Sequence, residues 1–130
     1  MPPKEKKKDN HIDFEIEFYQ KVVIERPNFV EALIALGDLY TKKGLINEGL
    51  KVDERLSKLK PDDPLILYNL ACSYSLLGNN DLAFDAIKKA IHHGYDDFSH
   101  LKKDQDLENL RRDPRFQGLL DKIERTPKKP

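Results

Sequence analysis

His92, His93, Asp96, Asp97 and His100 gather three imidazoles and two carboxylates into one short stretch, and these are the donor types that hold zinc or nickel. Their spacing argues against a site. His92 and His93 are adjacent, so on a helix their side chains point about 100° apart, whereas ligands one turn apart would converge. Solvated histidines at a helix C-terminus, favoured by the negative end of the helix dipole, are the simpler reading. Cys72 is the single cysteine, which rules out an internal disulfide and a Cys-based metal cluster within one chain. It reads as a small packing residue, with a reactive thiol as the alternative. The sequence offers no glycine-rich phosphate loop, no nucleophile beside a converging base and no carboxylate pair in a recognisable setting. The expectation is therefore no catalytic residue, no metal, no cofactor and no enzymatic activity.

Composition narrows the class further. With 130 residues, 38% apolar and 35% charged, the chain suits one helical domain with a modest core. It has no run of about 18 apolar residues for a membrane span, and the Lys-rich start has no apolar segment behind it, so a cytoplasmic protein without signal peptide or membrane contact is expected. Formal net charge is zero, yet basic residues and prolines collect at both ends. Residues 1–10 and 125–130 are expected to be disordered, solubilising tails. The body between them is acidic, which argues against a nucleic-acid partner, since that would need Lys and Arg clustered on a folded face.

The elements that would position any site follow from a period. Shifted by 34 residues, Val30–Leu59 overlays Pro64–His93. Leu33 falls on Leu67, Leu36 on Leu70, Gly37 on Ala71, Tyr40 on Tyr74, Gly44 on Gly78, Gly49 on Ala83 and Leu56 on Ala90. A period of this length means stacked supersecondary units that cannot bury their apolar faces alone. Asn28 and Glu31 have capping-box spacing for a helix running to about Lys43, which Gly44 ends in a left-handed conformation. Leu50, Val52, Leu56 and Leu59 give a second helix its apolar face, and Pro61 stops it. In the next unit Asp63 is the N-cap and Pro64 the first helical residue, Gly78 ends that helix, Asn79 or Asn80 caps another, and Gly94 ends it.

Applied backwards, the same offset sets Tyr19, Val22 and Pro27 against Asp53, Leu56 and Pro61. His11–Arg26 then reads as a helix, although the alternation of Ile12, Phe14, Ile16 and Phe18 with acidic residues is by itself a strand pattern. As a helix it has two stripes: Ile12, Ile16, Tyr19 and Val23 to dock on the next hairpin, and Phe14, Phe18 and Val22 left as a candidate contact surface for a second copy. After Gly94 the period degrades. Asp97, Leu101, Leu107, Leu110, Phe116, Leu119, Leu120 and Ile123 mark short amphipathic helices that close the array.

Leu36-Gly37 and Leu70-Ala71, each followed three residues later by tyrosine, together with Leu33, Gly44, Gly49, Leu56, Pro61, Leu67, Gly78, Ala83 and Ala90, resemble the tetratricopeptide repeat family. The resemblance spans about residues 11–94 and implies an all-α superhelix of helical hairpins. Its units are a half repeat at 11–27, repeats at 28–61 and 62–95, and a helical cap at 96–124. Four residues depart from the family pattern: Asp53 replaces a bulky apolar residue, Tyr95 replaces a common proline, and Leu33 and Leu67 stand where tryptophan is frequent. The closing segment looks like those of bacterial members.

The resemblance also implies that the first helix of each hairpin lines a concave groove for a protein or peptide partner. On the first such helix Glu31, Ile34, Asp38 and Thr41 lie about 120° from the core set, and their equivalents are Leu65, Tyr68, Cys72 and Ser75. Ile34, Leu65 and Tyr68 would form an apolar floor, and Glu31 and Asp38 an acidic edge suited to a ligand with apolar anchors and a basic residue. Two outcomes stay open: an open groove, or one covered by the cap or the N-terminal helix. The family's clamp for a chaperone's C-terminal carboxylate does not fit, because Ile34 and Asp38 stand where it needs Lys and Asn.

Overall fold

The computed structural model describes the backbone of residues 4–125 and the side chains of residues 11–125; the expectations for residues 1–3 and 126–130 lie outside these described residues. Eight α-helices and one 3-10 turn follow in order: α1 (Lys4–Glu25), α2 (Val30–Lys43), α3 (Ile46–Leu59), α4 (Pro64–Leu76), α5 (Asn80–His92), α6 (Phe98–Lys103), the 3-10 turn Gln105–Leu107, α7 (Glu108–Arg111) and α8 (Pro114–Arg125). The described residues include no strand. The alternating stretch from Ile12 to Phe18 is helix, with Ile12 and Ile16 packed into the core that α1 shares with α2 and Phe14 and Phe18 exposed. α1 begins at Lys4, so the part of the basic tail within the described residues is helical rather than disordered.

The hairpins α2/α3 and α4/α5 stack through α3 and α4, α1 packs on α2, and the 3-10 turn and α7 pack on the second hairpin. Two cores result. Ile16, Leu33, Leu36, Tyr40, Val52 and Leu56 centre the first, against which Ile12, Tyr19 and Val23 of α1 dock. Leu67, Leu70, Ala71, Ile87 and Ala90 of the second hairpin share the other with Leu101, Leu107, Leu110 and Phe116 of the cap.

Helix ends follow local chemistry where no other element interferes. Gly44, at φ 87°, and Gly78, at φ 78°, end the first helices of the two hairpins in the left-handed region. Asp63 Oδ1 accepts from the backbone N–H groups of Leu65 and Ile66 at 2.9 and 3.2 Å. Asn79, rather than Asn80, caps α5. The capping box at Asn28 and Glu31 does not form: the residue flanking α2 is Phe29, without a side-chain cap. Arg55 of α3 takes those acceptors instead, donating from Nη2 to Asn28 Oδ1 at 3.0 Å and from Nε to Pro27 O at 2.9 Å.

Candidate functional site

α2 and α3 approach closely because Gly37 and Gly49 face each other's helices. A Cβ on Gly37 would lie 3.3 Å from both Asp53 Oδ1 and Val52 Cγ1, tighter than ordinary packing. That space admits Asp53, which departs from the family pattern and is 7% exposed between the hairpins. Ser73 Oγ donates to Asp53 Oδ2 at 2.6 Å. Burial pushes the Asp53 carboxyl up to about 6, against the opposing pull of the Ser73 hydrogen bond.

The cap defines the other side of the site. Asp97 starts α6 by accepting from His100 N–H at 3.1 Å, and Asp104 breaks the chain between α6 and the 3-10 turn, accepting from Asp106 N–H at 3.0 Å. Asn109 Nδ2 donates to Ser75 O at 2.8 Å, and the Leu110 N–H donates to Ser75 Oγ at 3.2 Å. Arg111 ties the turn down by donating to the carbonyls of Leu101 and Asp104. At the far edge Arg115 bridges Asp113 and Asp81 at 2.8 and 2.7 Å, which holds the Asp113 carboxyl down at about 2.

Between α2, α4 and the cap lies a cavity of about 490 Å³, within the roughly 300–1,000 Å³ range of small-ligand pockets. Ile34, Ala35, Leu56 and Leu76 give it apolar walls. Tyr68, Asn69, Cys72 and Ser73 line the α4 side, and Asp38, Asp53, Asp104 and Asp106 contribute carboxyls. Burial and the Asp104 charge push the Asp106 carboxyl above its usual range. Asp38, at the outer edge, pairs with Lys42 at 3.0 Å.

Five of the eight groove residues expected from sequence meet in this cavity: Ile34, Asp38, Thr41, Tyr68 and Cys72. Glu31 and Leu65 are exposed outside it, and Ser75 is fully buried under α7. The apolar floor therefore changes character. Tyr68 is buried, stacks on Tyr95 with centroids 4.4 Å apart and donates from its hydroxyl to Asp104 Oδ2 at 2.6 Å. Burial, followed by that hydrogen bond, pushes the phenol up. The cap covers Tyr68, Cys72 and Ser75 of the α4 half of the groove, while Leu65 at its start and Ile34 and Asp38 on the α2 half remain exposed.

Asp53, His100, Asp104 and Asp106 are the ionisable cavity residues that the sequence did not assign to the groove. Asp53 carried a signal, as a charge at an apolar position of the repeat; the others depend on where the aperiodic cap lands. Donor atoms of Cys72, Asp104 and Asp106 lie within 4.8 Å of one another. As a metal set they are poor, because burial pushes the Cys72 thiol up and Asp104 Oδ2 already meets Tyr68 and, at 3.1 Å, His100 Nε2. The histidines first considered as ligands do not converge: His93 faces Asp62 at 3.6 Å, while His100 faces Asp104. Phe14, Phe18 and Val22 lie along α1, with Phe14 69% and Phe18 54% exposed and Val22 half-buried; Ile24, 77% exposed, lies about 120° around the helix from Phe18.

Residues 65–91 match the family model described as tetratricopeptide repeat. Over 84 residues the chain is 36% identical to a protein of Arabidopsis thaliana named as chloroplastic, covering 62% of this chain and 25% of that protein. The chain thus spans about a quarter of the curated relative it matches. Its fold is similar to the crystal structure of MamA, with a TM-score of 0.65 and 25% identity, over 94% of this chain and 69% of that one. Stacked helical hairpins of this kind are protein-interaction scaffolds in general. The period of the sequence and the hairpin stack agree with the family match, which makes residues 65–91 a tetratricopeptide repeat.

Proposed function

We propose that the protein is a non-catalytic interaction module that binds a peptide or helix of a partner protein on the concave face of α2. One observation carries the reading: a cavity of about 490 Å³ with apolar walls and acidic groups opens beside the exposed residues Ile34 and Asp38. Apolar walls supply the burial that anchors a ligand, and fixed polar groups orient it. The ligand class is a segment with apolar anchors and a basic residue. No helix among the described residues is long and apolar enough to cross a membrane; a cytoplasmic setting and a bacterial source belong to this reading, while the plant relative's name gives that protein a chloroplast location.

The test is a selection of random displayed peptides on the wild type, followed by binding to an Ile34→Glu, Asp38→Lys variant. Both positions are exposed, so the variant is expected to keep the wild-type circular dichroism and melting curve. Enriched peptides should lose about tenfold or more in affinity on the variant. Equal affinity for both proteins contradicts a ligand on the α2 face.

The exposure of Phe14 and Phe18, one turn apart on α1, favours a second reading, self-association through that helix. Sedimentation over a range of concentrations tests it. Mass that rises with concentration and falls to that of one chain on Phe18→Glu supports self-association; a single chain at every concentration contradicts it.

A further inference from the structure

We infer that the Phe14 and Phe18 face of α1 docks, on a second copy of this chain, into the apolar groove between α1 and α3, where Lys51 and Arg55 meet the carboxylates beside the phenylalanines. The inference rests on the second reading above, self-association, and names the surface that receives the helix. Phe14 and Phe18 lie on the opposite side of α1 from Ile12, Ile16 and Val23, which hold that helix to the first core. The receiving groove, of about 570 Å³, runs where the end of α1 meets α2 and α3. Leu33, Leu36 and Val52 are its buried floor, and Val23 and the exposed Ile24 stand along one wall.

Charge decides which surfaces meet. Asp13, Glu15 and Glu17 flank the two phenylalanines in the sequence. Asp13 pairs with Lys43 and Glu15 with His11, whereas Glu17 has no ion-pair partner among the described residues. Two α1 helices packed antiparallel through Phe14 and Phe18 would set Glu15 against Glu15 and Glu17 against Glu17 of the other copy, because these residues border the apolar stripe on either side. Such like-charge contacts oppose a symmetric pair of α1 helices. The groove carries the opposite sign, since its charged lining residues are Lys51 and Arg55. Lys51 meets Glu48 only at 3.5 Å in an exposed pair, and Arg55 donates to Pro27 O and Asn28 Oδ1, neither of them an anion. Burial of two aromatic rings supplies the attraction, and the opposite charges set the orientation. Phenylalanine face and groove are separate patches, so each copy offers both and the contact is heterologous.

The experiment is sedimentation, over a range of concentrations, of the wild type, of Phe18→Glu, of the groove variant Ile24→Glu, Lys51→Glu, and of an equimolar mixture of the two variants. The three substituted side chains are exposed, and circular dichroism checks each fold; Phe14→Glu and Lys51→Glu alone serve if either variant unfolds. The expected result is a wild-type mass that rises with concentration, while each variant by itself stays one chain at about tenfold higher concentration. Their mixture regains association as two-chain species, because one variant keeps the groove and the other keeps the phenylalanine face. A variant that associates like the wild type, or a mixture that stays at one chain, overturns this docking and leaves self-association standing. A wild type that is one chain at every concentration overturns both.

Discussion

Burying a carboxyl without a cation beside it costs free energy, and Asp53 bears that cost between α3 and α4. Its folded-state pKa of about 6 lies above the ordinary 3.8, so in that interval the folded chain holds a proton that the unfolded chain has released. Stability from this group is therefore full below about pH 4 and falls as pH rises through about 6, by roughly 2–3 kcal/mol in all. Asp53→Asn keeps an acceptor for Ser73 and removes the titration. The difference in unfolding free energy, variant minus wild type, should grow by about that amount from pH 4 to pH 7.5 in urea titrations; a difference that stays flat contradicts the buried carboxyl. The subtraction cancels Asp113, whose lowered pKa acts in the opposite sense, losing stability as pH falls toward 2. Asp53 was legible as a departure from the repeat pattern. Its role was not, because Ser73 and Gly37 reach it from two other helices.

At the scale of elements, what was local was legible. Gly44, Gly78, Asp63 and Asn79 act through their own backbone or that of residues a turn away, so their types announce the helix ends they make. Asn28 failed for the converse reason: the same side chain serves equally well as an acceptor for Arg55, which comes from a different helix. The cap is the larger case. Its apolar residues were visible as amphipathic spacing, but that it lands on Tyr68, Cys72 and Ser75 depends on packing without a period to read. Phe116, at 2% exposure, joins the second core together with Leu101, Leu107 and Leu110. Phe116→Ala should cost about 3–5 kcal/mol, a large share of a total of about 5–15. Urea denaturation followed by circular dichroism checks this, and a loss under about 1 kcal/mol contradicts a cap integral to the core.

Across the whole molecule, the period predicts the hairpins and their stacking, and the cap decides how much of the face lined by α2 and α4 stays open. On α4, Tyr68 is bonded to Asp104 and Ser75 to α7, and Leu65 on α4 and Ile34 and Asp38 on α2 stay at the surface. Function by binding fits stacked helical hairpins in general. A partner that binds only the folded state would also raise apparent stability by mass action. The most direct measurement is calorimetric titration of a selected peptide into wild type and into the folded Ile34→Glu, Asp38→Lys variant. Saturable binding to the wild type that weakens about tenfold or more in the variant is the predicted result; undiminished binding to the variant would contradict a ligand site on the α2 face.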